Sequence, residues 1–419
     1  MNIGRRIRGV RGSHNAKVLM SNFVSLSLLQ VANYVFPLVT LPYLTRVVGV
    51  ENFGRIAFAQ AVIVWFQAIV DYGFIYSSVR DIAKCREDIK RVSVIYSNVM
   101  WARFLLTGVS LALLSLAVLF IPVFRENSLI LFLTFFTVIG HAMFPEWLFQ
   151  AFERMTYVTV LNVLTKLIFT VMVFLVIKSE GDYYLQPILM SLGYVCSGVI
   201  SFYIISRWGI RFLAPDLRQI VEAIKRNTDL FINQIVPNLY SNLSVILLGV
   251  FHGQTANGIF DLGRKFNNVA LGFLSVISRV FFPFLSRNPN RHRIFGVLQI
   301  GVSCIMAISL FIFAPLIIDV FFTANYKESV VVIRVLSISI IAQSLLNVYG
   351  TNYLILKGYE KEMRISTLQA SIVGLLIAVP CVYYFSYIGV AITIAFSMCL
   401  MALLVVRRYG IIKQISDEK

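Results

Sequence analysis

Charge is scarce in this chain of 419 residues: 14% are charged, and only 20 are acidic. Against 58% hydrophobic residues and a mean hydropathy of +0.80, so thin a charged coat excludes a soluble globular protein, because no soluble fold of this length hides that much apolar surface. Cysteine is sparse as well. The five present (Cys85, Cys196, Cys304, Cys381 and Cys399) form no CxxC pair, which argues against a disulfide framework or a metal site. No GxxxxGK[ST] loop is present to cradle a nucleotide phosphate, so nothing points to an ATPase, and no cofactor is expected. A small-residue cleavage site is missing after the basic start "MNIGRRIRGVRGSHNAK", so the first apolar run is expected to be kept as a span. The net charge of +17 would suggest nucleic acid in a soluble chain. Here no nucleic-acid partner is expected, because membrane topology accounts for the excess.

What the chain has in abundance is apolar runs. A spanning helix needs about 20 predominantly apolar residues. Spans are expected near 18–45, 54–79, 92–121, 128–149, 156–177, 185–206, 228–251, 258–285, 294–321, 329–356, 365–385 and 388–406. Pro37, Pro42, Pro237 and Pro283 are candidate kinks. The fold class is therefore an all-α polytopic membrane protein of about twelve helices. The longest polar stretch, 207–227, is basic and partly amphipathic. It separates an N-terminal six-helix bundle (1–206) from a C-terminal one with a short tail (228–419).

Two short repeats suggest that the halves are duplicates. "GVENFG" (49–54) and "GQTANG" (253–258) each carry glycines five apart after an odd-numbered span. "AFERM" (151–155) and "GYEKE" (358–362) each follow the fourth span of their half. Repeats of even span number share one orientation, so the expected axis runs along the membrane normal, with substrate held between the halves. The alternative is a bundle with no moving parts.

Lysine and arginine set the orientation. The two tails and the five loops on their side hold 26 of the 37 basic residues, which places both termini in the cytoplasm. Six basic residues fall inside expected spans: Arg103, Lys166, Arg264, Lys265, Arg279 and Arg334. A charge near mid-bilayer costs roughly 2.5–3.5 kcal/mol on insertion scales, so such groups face water or a partner. On a helix, Asp261, Arg264, Lys265, Asn268, Gly272, Ser275 and Arg279 fall on one side. Asp261 can pair with Arg264 or Lys265, leaving one positive charge over. Arg279 lies about 27 Å along the axis from Asp261, where it can line a cavity or snorkel to headgroups. Arg334 sits near a span end, where snorkelling is expected. Arg103 and Lys166 either line the cavity or pair with Asp71 or a backbone carbonyl, and His141 is either packed or functional. Polar residues of the first span (Asn22, Gln30, Asn33, Thr40) and the seventh (Asn233, Gln234, Asn238, Ser241, Asn242) serve equally as glue between helices. With Asp71 and Asp261 as the deep acids, the excess is positive and an anionic ligand is expected, held by Arg103, Lys166, Arg264, Lys265, Asn268 and Arg279.

Three segments carry a resemblance to a known family. "TLPYLTRVVGVENFGRIAFAQAV" (40–62), "VDYGFIYSSVRDIAKCRED" (70–88) and "PEWLFQAFERM" (145–155) resemble polysaccharide-biosynthesis exporters, nearest to the O-antigen flippase branch of the multidrug/oligosaccharidyl-lipid/polysaccharide exporter superfamily. The resemblance implies a V-shaped pair of six-helix bundles in the bacterial inner membrane, with a central cationic cavity. It implies a flippase, not an enzyme, that moves undecaprenyl-pyrophosphate-linked repeat units to the periplasmic leaflet by alternating access. Membrane lipids and other polysaccharide-assembly membrane proteins are the further partners. Coupling to a proton or sodium gradient would draw on Asp71, Asp261 or His141. Two rivals are a multidrug and toxin extrusion exporter, which would favour a more acidic cavity, and a polysaccharide polymerase, which would favour a large periplasmic loop.

Overall fold

A computed structural model describes residues 3–235, 239–287 and 291–417, the side chains of residues 3–24, 26, 27, 229, 233, 234, 239, 283, 287 and 415–417 excepted. Helices account for nearly all of it, and no strand occurs among the described residues. The first half contains α1 (Ile3–Asp71), α2 (Phe74–Lys84), α3 (Ile89–Phe120), α4 (Pro122–Glu126), α5 (Ser128–Met143), α6 (Glu146–Ala151), α7 (Met155–Val176) and α8 (Leu185–Arg207). Then follow α9 (Leu217–Ile235), α10 (Leu239–Arg287), α11 (His292–Phe321), α12 (Ser329–Leu345), a π-helical segment (Leu346–Ile355) and α13 (Glu360–Asp417). Among the described residues, nine helices are long and apolar enough to cross a membrane.

Three of those nine are too long for one crossing, and each contains a residue that leaves helical geometry. These are Gly49 in α1 (φ 75), Gly253 in α10 (φ 80) and Ser386 in α13 (φ 53). Dividing them there turns nine helices into twelve legs, which follow the expected runs except the seventh: residues 228–235 of that run belong to the end of α9 (Leu217–Ile235), and only the part from Leu239 to the Gly253 break forms the first leg of α10. Gly49 and Gly253 share one conformation, with ψ 170 and −177, a region open essentially only to glycine. Each is the first glycine of its repeat. The breaks thus fall on glycine, whereas helical geometry holds across Pro37 and Pro42, two of the expected kinks. Pro237, Asn22, Asn233, Gln234, Asn238 and the side chain of Pro283 lie outside the described residues.

The second glycines of the two repeats meet. A Cβ on Gly54 would collide with the Gln254 carbonyl and lie 2.8 Å from the Gly258 nitrogen; one on Gly258 would collide with the Val50 carbonyl. The two helices therefore cross backbone on backbone. Around this crossing lies a core drawn from both halves, including Leu41, Phe53, Leu262, Ile318, Phe322 and Tyr326. Each half also has its own core, with Phe58, Tyr96 and Phe149 in the first and Val245, Leu336 and Val390 in the second.

The stretch read as a linker is only partly irregular. Residues 209–216 are coil stitched to α3: the backbone N–H groups of Arg211 and Leu213 donate to the Ser93 and Ser97 hydroxyls at 3.0 and 2.8 Å. α9 then starts at Leu217 because Asp216 caps it, accepting from the N–H of Arg218 at 3.0 Å, and because Ile220 and Asn227 recur on one buried face. The end of α9 rests on the break between α1 and α2. Tyr72 stacks on Phe231 at 4.4 Å, and Gly73 (φ 74) leaves no room for a Cβ beside Leu230.

Candidate functional site

The fourth run of the first half is interrupted, and the interruption shapes a charged chamber. Phe144 and Pro145 break the chain between α5 and α6. Their turn exposes the carbonyls of His141 and Phe144 to Arg103, which α3 carries in from the side. Arg103 is 4% exposed and donates to Asp71 Oδ1 at 2.8 Å, to the His141 carbonyl at 2.9 Å and to the Phe144 carbonyl at 3.4 Å. One planar fork thus ties α3 to the ends of α1 and α5, a spread of acceptors that suits a guanidinium better than a compact ammonium. Asp71, Arg103, His141 and Glu146 surround a cavity of about 160 Å³. The His141 ring lies 4.0 Å from that of Tyr194.

Glu146 is the functional candidate that sequence reasoning missed. It opens α6 and accepts from Asn162 Nδ2 at 3.1 Å. Its position in the "PEWLFQ" segment reads as a span end, and only the Phe144–Pro145 break turns it inward. It adds a third deep acid to Asp71 and Asp261.

Span eight makes the pairing that its helical spacing implies, with one refinement, and of its polar stripe only Lys265 lines the cavity described below. Asp261 is 1% exposed and uses both oxygens: Arg264 donates to Oδ1 at 2.8 Å and Lys265 to Oδ2 at 2.6 Å. The Lys265 ammonium also lies 5.4 Å from the centre of the Phe53 ring. The trio keeps one net positive charge. Asn268 and Arg279 are exposed, and Gly272 is buried. Arg334 donates to the Phe311 carbonyl at 3.2 Å and covers that ring.

Lys166 and Lys265 come from opposite halves and line the same cavity, of about 210 Å³. Its polar wall is Thr40, Gln60, Thr165, Gln186 and Tyr194; its apolar wall includes Phe36, Leu44, Phe53 and Phe169. Lys166 has no hydrogen bond or ion pair among the described residues, and the acid whose charge reaches it is Glu146. The two ammonium groups make this cavity net positive, and its largely apolar walls strengthen any charge-assisted bond to an anion. Gln60, Gln67 and Asp71 fall on one side of the second leg of α1, spaced over about 16 Å. That strip leads from the cavity to Asp71, which also borders a space of about 320 Å³ facing Ile235 and Asn242. Arg103 is therefore not in the two-lysine cavity; it stands in the neighbouring chamber. Among the described residues, no group of three potential metal ligands occurs.

A family described as polysaccharide biosynthesis protein matches residues 19–289. The chain belongs to that family. Two curated relatives, named as candidate O-antigen transporters, are each 28% identical to this family member. The one from Escherichia coli (strain K12) covers 92% of the chain and 95% of its own length; the one from Shigella dysenteriae covers 93% and 99%. Among solved structures, the lipid II flippase MurJ in an inward closed conformation matches with a TM-score of 0.72 at 14% identity, covering 91% of this chain and 87% of that one. An inward-facing multidrug resistance transporter of the MATE family matches at 0.58 and 14%, covering 90% and 96%. These likenesses establish the fold, that of two-bundle multi-pass membrane transporters.

Proposed function

We propose that the protein is a flippase that carries undecaprenyl-pyrophosphate-linked oligosaccharide repeat units of O-antigen type across the bacterial inner membrane, from the cytoplasmic to the periplasmic leaflet. The single observation that carries this reading is the cavity shared by Lys166 and Lys265. A diphosphate joined to a sugar on one side and a polyprenyl tail on the other needs two cations in a hydrated gap, while its tail stays in lipid. The relatives' names and the family support the same substrate class. Both termini lie in the cytoplasm, following the basic loops.

Because each lysine belongs to a different half, the bound diphosphate draws the halves together, and its release lets them part. Energy for a directed cycle comes from a proton or sodium gradient acting on the chamber of Asp71 and His141, or on Asp261. The test is complementation of a strain lacking the gene. Lys166→Ala and Lys265→Ala are expected to cut surface polysaccharide at unchanged protein level, and Lys→Arg swaps to do less harm. Normal polysaccharide in both alanine variants would remove the two-lysine site.

A further inference from the structure

The halves touch at two levels along the pair formed by α1 and α10. The first leg of α1 runs towards Gly49, and the second leg of α10 runs away from Gly253, so the two can be followed side by side. Nearest the glycine breaks is the crossing of Gly54 and Gly258, packed in the core shared by both halves. Next comes the cavity, marked by Thr40 on one helix and Lys265 on the other. Beyond it, towards the end that carries the 80–88 and 209–216 connections, the halves meet again at Tyr34 and Gly272. A Cβ on Gly272 would lie 2.0 Å from Tyr34 Cζ and 2.2 Å from its hydroxyl oxygen, so the phenol end of the side chain is seated against the glycine. Gly272 is two turns past Lys265, and Tyr34 is one to two turns before Thr40. Arg279, exposed, lies two turns further out on the same helix.

We infer that Tyr34 and Gly272 form the cytoplasmic gate of the cavity, a single ring against a single glycine, opposed to a wide apolar seal at the other end. The inference rests on the flippase reading for its direction. The asymmetry has a physical consequence. Parting the glycine-break end exposes Leu41, Phe53, Leu262, Phe322 and Tyr326 together, whereas parting the other end needs one tyrosine to swing. The terminus end is therefore the one that opens first. Glycine is required at 272 because any side chain there would hold the ring away, and Arg279 is left outside the gate to meet an arriving anion.

The test uses the full chain with its five cysteines replaced and Thr40→Cys as reporter, treated with a charged, membrane-impermeant maleimide. Inverted vesicles and spheroplasts present the two faces. With Tyr34 in place, labelling is expected to be slow from both. With an open state populated at about 10%, Tyr34→Ala raises the rate up to about tenfold, from the cytoplasmic face only. Gly272→Ala should act in the same direction, and Tyr34→Phe should leave the rate low. Ser206→Cys, outside the gate, should label equally in every background. An unchanged rate in both Tyr34→Ala and Gly272→Ala, or a rise shared by the Ser206→Cys control, would overturn the gate. Labelling needs no substrate, so that failure would leave the lysine site standing, and failure of the lysine variants would leave the gate standing.

Discussion

Removing Arg103 is the perturbation whose size the structure fixes best. The side chain is 4% exposed, and its partner Asp71 is 32% exposed. Arg103→Ala leaves that carboxylate unpaired and frees the carbonyls of His141 and Phe144 at the α5–α6 break. Losing one member of a buried pair costs ~3–5 kcal/mol, and the partial exposure of Asp71 places this case at the lower end, about 3 kcal/mol. Arg103→Lys keeps the charge but spans fewer acceptors, so about 1–2 kcal/mol is expected. Asp71→Asn keeps an acceptor, and in the Arg103→Ala background it removes the stranded charge. The double variant should therefore be more stable than Arg103→Ala alone, with a coupling energy of about 1–3 kcal/mol. The assay is unfolding of the detergent-purified protein by titrated denaturing detergent, followed by circular dichroism. An Arg103→Ala variant within about 0.5 kcal/mol of the parent, a surface-like value, would refute the reasoning.

Three further outcomes follow from the same contacts. Gly54→Ala places a methyl against the Gln254 carbonyl and is expected to cost about 1–3 kcal/mol in the same titration, because backbone cannot step aside as a side chain can. Asp261→Asn removes the acid shared by Arg264 and Lys265; both are partly exposed, so a loss near 2–3 kcal/mol is expected, together with export more sensitive to salt. Asn352→Ala should lower stability by about 1–2 kcal/mol, since its amide donates to Ser278 Oγ at 2.7 Å and to the Asn347 carbonyl at 2.9 Å inside the π-helical segment.

Most of the fold was legible because the bilayer imposes one rule, the length of an apolar run, on every crossing. The paired glycine repeats were legible as a pattern, but not as a contact. That Gly49 and Gly253 take one conformation, and that Gly54 and Gly258 touch, depends on how two distant helices pack. The pairing of Asp261 with Arg264 and Lys265 was readable because three- and four-residue spacing fixes it within one helix. Glu146 was not, since its inward turn depends on a break that hydropathy does not register. For Arg103 the pairing reading is the one seen: it binds Asp71 and two carbonyls, and it borders a smaller chamber beside the two-lysine cavity. The stretch 207–227 shows the opposite limit, where a basic composition hid a helix whose apolar face packs on a neighbour.

The central claim is that this chain moves a lipid-linked repeat unit across the membrane. The most direct measurement is the fate of that lipid when the gene is deleted in its own bacterium. The account predicts single lipid-linked repeat units trapped on the cytoplasmic face, accessible to enzymes added to inverted vesicles, with surface polysaccharide lost. Repeat units that reach the periplasmic face at the normal rate in the deletion strain would contradict it.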